Sequence, residues 1–273
     1  MITSETSYFE IINKPQISRV KCIILDYDGT LTTLRKGWNV ILTDYAKSKI
    51  NPYNRPCDLI DDRILHLTTH AGGTTPRQLV KRLMEIIEEL GHIPKEEIGT
   101  IEHYAKDYAD HFQEKINDRL ENFSNESENY VIESVRPMLD FIQSRETINY
   151  IVTGSCETAV TNELKLLNMD SFFVKVYGAT LEMEGNLKLD AMNEIINRHG
   201  LNKDEVLIIG DGSTEMRAAK ELGLPAIGIA SNEDEGGLCQ KKRQLLIDLG
   251  AHAIIADYTG FQNVWEWLHN ETS

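Results

Sequence analysis

Two aspartates one residue apart end an apolar run in Cys22-Ile-Ile-Leu-Asp26-Tyr-Asp28-Gly29-Thr30-Leu31-Thr32. Carboxylates at such a point can attack an electrophile, pass protons or hold a hard metal ion. A second apolar run, Val206-Leu-Ile-Ile-Gly210, ends in Asp211, with Glu215 four positions on. Oxygen ligands at that spacing suit Mg²⁺, which keeps several waters and takes only one or two protein carboxylates directly. Glu215 equally suits an acidic first helical turn set against the helix dipole. Between these sites, Ile148-Asn-Tyr-Ile-Val152 leads into Thr153-Gly154-Ser155 and a helix with Val160, Leu164 and Leu167 on one face. A strand-to-helix turn offers free N–H groups and the positive end of a dipole to an anion, so Thr153 and the Gly154 amide would hold phosphate oxygens. Ser155 also suits a plain helix cap, and Thr153 a plain strand end.

The strand before Asp26 reads as buried on both faces, since Val20 and Cys22 to Leu25 are almost continuously apolar, as in a parallel sheet covered by helices. Ligands of such sheets bind beyond the carboxyl ends of the strands. From about Gly37 to Asn122 the chain is helical and charged. Leu79, Leu83, Ile86, Ile87 and Leu90, closed by Gly91, mark one helix, and Ile98 through Ile116 mark another. From about Val131 strands alternate with helices: a helix opened by Pro137, strand 148–152, helix 157–167, strand 173–177 and helix 191–199. Strand 206–209, helix 214–222, strand 226–230, helix 238–249 and strand 253–255 complete the series. The pattern predicts an α/β fold, a doubly wound parallel sheet, with an inserted α-helical domain. The expected division is 1–34 and 131–273 for the α/β core and 35–130 for the insertion, with residues 122–129 the most loop-like stretch.

Asp-x-Asp-Gly-Thr resembles the first motif of the haloacid dehalogenase superfamily of phosphohydrolases, and the other motifs follow in the family's order. The resemblance covers nearly the whole chain apart from residues 1–18. It is nearest to the group of phosphoglycolate phosphatase and β-phosphoglucomutase, whose helical type 1 cap is inserted directly after the first motif. The resemblance implies a Rossmann-like core and a cap that closes over the site and reads the leaving group. It implies Asp26 as nucleophile forming an aspartyl-phosphate, Asp28 as the acid and base, and Thr153 with Gly154 and Ser155 on the phosphate. Lys188, in Asn186-Leu-Lys-Leu-Asp190 before the last motif, would supply the neutralising ammonium, with Lys175 as rival. Mg²⁺ would be held by Asp26, the Asp28 backbone carbonyl and Asp211, with Glu215 acting through a metal-bound water where the family more often has Asp. Dehalogenase and phosphonatase members lack the second aspartate, so Asp28 points to phosphate esters.

The leaving group would be read by residues past the first motif or in the insertion. Arg35, with Lys36 and Trp38, and Thr74, with His70 and Arg77, are the candidates, although Gly72-Gly-Thr-Thr-Pro76 is also simply a turn into a Pro-led helix. The acidic loop 231–237 could line the crevice or be a solvated connection. Lys241-Lys242-Arg243 reads as a solvated patch.

The formal charge of −15, from 43 acidic and 28 basic residues, argues against nucleic acid, whose binding rests on Lys and Arg at phosphates, and against an anionic membrane surface. Four cysteines without CxxC spacing suggest neither zinc nor a disulfide framework. The start lacks the pattern of a signal peptide and no run of 18 apolar residues occurs, so a cytoplasmic protein is expected. The expected activity is Mg²⁺-dependent hydrolysis of a small-molecule phosphate ester by a monomer or homodimer. The alternatives are a phosphomutase of the β-phosphoglucomutase type and a non-catalytic binding module of the same fold.

Overall fold

The computed structural model describes residues 8–69, 74–121, 130–180 and 187–269. His70, the Gly72-Gly73 turn and the 122–129 stretch lie outside them. Among the described residues the chain divides into two compact units, 8–36 with 130–178 and 187–269, and 37–121 with 179–180. The second unit begins at Gly37, two residues later than expected, so Arg35 and Lys36 belong with the first.

The first unit is built on a seven-stranded sheet of order β1-β7-β6-β5-β2-β3-β4. These are β1 Phe9–Ile11, β2 Cys22–Leu25, β3 Ile148–Cys156, β4 Lys175–Ala179, β5 Val206–Gly210, β6 Ala226–Ile229 and β7 Ala253–Ile255. β2 is parallel to β3 on one side and to β5 on the other, with Leu25 opposite Ile151 and Ile209. The chain therefore winds away from β2 in both directions, and the switch point of the sheet falls at the end of β2. That register brings Asp26, Thr153 and Asp211 out of three neighbouring strands on one edge.

Side chains alternate across the strands. Cys22 and Ile24 join Tyr150, Val152 and Ile208 in a core closed by α7 (Leu187–His199), α8 (Ser213–Leu222) and α9 (Gln240–Leu249). Ile23, Leu25, Ile151 and Ile209 are equally buried. On that side remain α5 (Val135–Ser144), α6 (Glu157–Leu166) and α10 (Phe261–His269), with Phe141 of α5 edge-on to Trp265 of α10 at 5.7 Å. The sheet is thus covered on both faces, as its apolar strands require.

Residues 8–18, which matched no expected element, supply β1, which pairs antiparallel with β7, with Phe9 opposite Ile255. His252 holds it in place. Its carbonyl accepts from the amides of Ile12 (2.9 Å) and Asn13 (3.1 Å), while its Nδ1 accepts from the Ala226 amide at 3.2 Å. Burial lowers the pKa of this imidazole. The folded state therefore binds the proton less readily than the unfolded chain, whose histidines titrate near 6.5, and the stability from neutral His252 is present above about pH 6.5 and lost below it. Calorimetry should show Tm falling between pH 7 and 5.5, and falling less in His252→Asn, whose amide oxygen can still accept from Ala226.

The second unit is all helical: α1 (Trp38–Ile50), α2 (Leu59–Thr69), α3 (Pro76–Leu90) and α4 (Ile101–Glu121). Leu42, Ile64, Leu83, Ile87, Tyr104 and Tyr108 belong to its core. The Pro-led start of α3 is as expected. Thr75 caps it in a reciprocal pair with Gln78, and Gly91, at φ +60°, ends it. No helix among the described residues is long and apolar enough to cross a membrane.

Candidate active site

The loop leaving β2 is a tight one. The Gly29 amide donates to the Thr32 carbonyl at 2.8 Å, and the Tyr27 carbonyl accepts from Leu31 and Thr32. Gly29 stands at φ +71°, and a Cβ there would overlap the Asp211 carboxylate. Gly29→Ala should therefore cost about 1–2 kcal/mol from the left-handed backbone alone, seen as a lower Tm. It should also displace Asp211, one of the three carboxylates that could hold a divalent ion.

Asp26 leaves the end of β2 with its amide bonded to the Ile209 carbonyl at 2.9 Å and its carboxylate buried. Lys188 reaches it from the first turn of α7, which starts four residues earlier than expected. Its Nζ lies 2.9 Å from Asp26 Oδ1 and 2.7 Å from Glu215 Oε2, with Lys188 only 5 % exposed. The rival Lys175 is exposed at the sheet edge with its ammonium 4.0 Å from the Tyr177 ring centroid. Burial would pull the Lys188 pKa down, but Asp26 and Glu215 outweigh it and push it up.

Asp26, Asp211 and Glu215 each offer an oxygen, all within 4.8 Å of one another. Burial, then the neighbouring Glu215, Asp211 and Asp28, hold the Asp26 carboxyl well above the ordinary range against the pull of Lys188. Asp211 is pushed up to about 6, again chiefly by burial, although Lys242 opposes the shift. Burial also acts upward on Glu215, yet Lys188 and the Gly212 amide bring it below the carboxylate range. Three converging oxygens from mutually repelling carboxylates form a donor set that suits a hard divalent cation. Asp26, Asp211 and Glu215 could hold it. The Asp28 side chain lies outside that set.

Asp28 is engaged elsewhere. Its Oδ1 accepts from Arg35 Nη1 at 3.0 Å and its Oδ2 from Ser155 Oγ at 2.5 Å. Ser155 therefore reaches Asp28 rather than capping a helix; the cap position of α6 falls on Cys156, without a side-chain bond. Thr153 is buried within β3, which runs on to Cys156 past the expected end at Val152, and its Oγ1 accepts from the Ser155 amide at 3.1 Å, so the Thr153-Gly154-Ser155 segment is the last part of the strand rather than a turn.

The structure thus brings Asp26, Asp28, Thr153, Gly154, Ser155, Arg35, Lys188, Asp211 and Glu215 to one edge of the sheet. Thr74 belongs to the helical unit, just before the cap of α3, and Arg77 there pairs with Glu102 at 3.0 Å. Arg35, expected to face a leaving group, is turned inward on Asp28 and Glu163 because buried carboxylates demand a cation.

Two participants were not anticipated. Glu163 shares the apolar face of α6 with Val160 and Leu164, and a charge inside that stripe was the available signal. Lys242 is no solvated residue. Its Nζ lies 2.7 Å from Asp211 Oδ2 and 2.6 Å from Glu233 Oε1. Arg243 beside it pairs with Glu10 at 2.5 Å. The acidic loop is likewise tied down, with Lys36 2.7 Å from Asp234.

A buried Asp26 just past β2 with the half-buried Asp28 two residues on, a lysine on the first of them, and Asp211 after β5 with Glu215 in the first turn of α8 reproduce the expected motifs in space. Residues 23–229 match the family model of the haloacid dehalogenase-like hydrolases. The chain belongs to that family. Among solved structures it is similar to a predicted phosphoglycolate phosphatase from Haemophilus somnus (TM-score 0.63, 16 % identity, 90 % of this chain and 98 % of that one). It is also similar to β-phosphoglucomutase from Clostridium difficile (TM-score 0.62, 12 % identity, 92 % and 98 %) and to a predicted phosphatase from Clostridium acetobutylicum (TM-score 0.57, 17 % identity, 91 % and 100 %). At these identities the likeness is one of fold. No curated protein matches.

Proposed function

We propose that this protein is a Mg²⁺-dependent phosphatase that hydrolyses a small phosphorylated metabolite through an aspartyl-phosphate on Asp26. The observation that carries the reading is the division of labour between the two aspartates. Asp26 sits against Lys188 among the metal-competent carboxylates, while Asp28, two residues on, is held apart by Ser155 and Arg35.

The Asp26 carboxylate attacks phosphorus, the bond to the ester oxygen breaks, and that oxygen takes a proton from Asp28. A water then attacks the phosphoryl group, Asp28 takes the proton that this water sheds, and Asp26 is released with inorganic phosphate. Lys188 offsets the charge of nucleophile and phosphoryl oxygens, and the Thr153-Gly154-Ser155 segment directs hydrogen-bond donors to those oxygens. A divalent ion bound by Asp26, the Asp28 carbonyl, Asp211 and Glu215 would screen the repulsion between the two anions as they approach. The helical unit would act as a cap selecting the leaving group, with Thr74 among its contacts. In this reading the partners are small phosphate esters, and the protein is cytoplasmic and works as monomer or homodimer.

The test is phosphate release from a panel of phosphorylated metabolites with Mg²⁺, beside Asp26→Asn and Asp28→Asn. One strongly preferred substrate, lost in both variants, supports the reading. A phosphomutase shares both aspartates and would instead convert a sugar phosphate to its isomer, require an activating bisphosphate and release little phosphate.

A further inference from the structure

Arg35 and Glu163 form a buried ion pair that no step above uses. Arg35 Nη1 and Nη2 donate to Glu163 Oε2 and Oε1, each at 2.8 Å, and Nη1 also donates to Asp28 Oδ1 at 3.0 Å. Arg35 is 6 % and Glu163 1 % exposed. The guanidinium carbon lies 5.6 Å from the centroid of the Tyr27 ring, so an aromatic side chain also adjoins the group.

A pair this deeply buried is weak evidence of a stabilising role, since well-packed apolar side chains commonly serve as well or better. What the charges add is geometry. The planar fork of arginine has fixed donor directions. With two of its N–H groups committed to Glu163 on α6, Arg35 cannot turn away from Asp28 without leaving a buried carboxylate unpaired. Ser155, from the end of β3, holds the other Asp28 oxygen. Three separate chain segments thus determine where the Asp28 carboxyl points.

We propose that Arg35, anchored by Glu163, is a positioning residue that aims Asp28 at the oxygen of the departing group. The inference rests on the reading of Asp28 as the group that protonates that oxygen. As the P–O bond breaks, its electron pair passes to the leaving oxygen, and the Asp28 proton must arrive along a short, directed path. An alkoxide cannot depart without that proton, whereas p-nitrophenolate can. Loss of aim therefore falls selectively on esters of poor leaving groups. A merely structural role would lower both substrates together.

The test compares kcat/KM, which reports the first phosphoryl transfer, for glycerol phosphate and p-nitrophenyl phosphate with Mg²⁺. The variants are Arg35→Met, Arg35→Lys, Glu163→Gln and the neutral pair Arg35→Met/Glu163→Met, which removes both charges together and keeps the fold within reach if a single change unfolds it. Arg35→Met and the neutral pair should lose about 10–100-fold on glycerol phosphate, within the range that general acid catalysis contributes, and much less on p-nitrophenyl phosphate. Arg35→Lys should recover part of the loss. Equal losses on both substrates, or a neutral pair with full activity on glycerol phosphate, would overturn the proposal while leaving the phosphatase reading intact. Where the metabolite panel supplies a preferred alkyl ester, that ester takes the place of glycerol phosphate, and a wild-type protein inactive on every ester of the panel and on p-nitrophenyl phosphate would overturn that reading and this inference with it.

Discussion

Asp26→Asn should abolish phosphate release while raising the thermal stability of the protein without Mg²⁺. An amide cannot form the acyl phosphate, so the covalent route closes, and turnover should fall by at least about 10⁴-fold, as loss of the nucleophile does in other covalent hydrolases. The opposite effect on stability follows from the charges. Asp26 is buried, and Glu215, Asp211 and Asp28 all disfavour its ionised form, with Lys188 the opposing influence. The folded state therefore holds that group at a cost, either as a strained carboxylate or by taking up a proton, and a neutral isostere removes the cost. Added Mg²⁺ should narrow the gap, since the ion relieves the same repulsion in the wild type. Phosphate release and calorimetry with and without Mg²⁺ measure both effects. A variant that kept its turnover would remove Asp26 from the chemistry. One that lost both turnover and stability would mean that the carboxylate is needed for packing rather than held against electrostatic strain. Sites that carry strain for function commonly show this trade between stability and activity.

The features most readable from the sequence were those whose cause is local. An apolar run ending in Asp-x-Asp-Gly encodes a buried strand, its end and a turn within ten residues, and β2 with its tight loop is the result. Lys188 was preferred to Lys175 because it leads into the helix before the last motif, as the pattern of the resembling family does, and Lys175 opens β4 rather than ending a strand. Two helices of the insertion stayed unseparated for physical reasons. α2 leaves Leu59 and Leu65 exposed, which blurs its apolar stripe, and α1 leaves Val40 exposed beside its buried positions 41, 42, 45, 46 and 50. α10 has a regular spacing at Phe261, Val264, Trp265 and Leu268, so it was legible and passed over. β1 has three residues and exists through its pairing with β7, some 240 positions away, which no local pattern encodes. The same holds for the charges of the site. Arg35 and Glu163 are 128 residues apart, and Lys242 and Asp211 are 31 apart. An isolated lysine or arginine reads as solvated until the fold shows which carboxylate it meets. The sequence therefore pointed to the carboxylates and to Lys188, and the fold supplied the pairing of Arg35 with Glu163 and of Lys242 with Asp211.

Those cations lead to the second large effect, in Lys188→Met. Methionine fills much the same volume and removes only the ammonium, so Asp26 and Glu215 lose the charge that stands 2.9 and 2.7 Å from them. Removing one partner from a buried ion pair typically costs about 3–5 kcal/mol, because the other charge stays behind without compensation. Here two carboxylates stay behind, and the Tm of the variant without Mg²⁺ should fall accordingly. Mg²⁺ should then stabilise the variant more than it stabilises the wild type, because the ion meets a site with one positive charge fewer and takes over part of the lysine's role. Activity should not recover with stability. In the proposed reaction Lys188 also faces the charge on the phosphoryl group, and loss of such a preorganised group costs on the order of 10²–10³ in kcat, an effect that saturating Mg²⁺ on the carboxylates would not replace. A calorimetric titration with Mg²⁺ beside phosphate-release kinetics separates the two roles. Recovery of both stability and kcat at high Mg²⁺ would reduce Lys188 to a counterion. Recovery of stability alone would make it part of the phosphoryl-transfer machinery, and no loss of either would mean that Asp26 and Glu215 share a proton and need no cation between them.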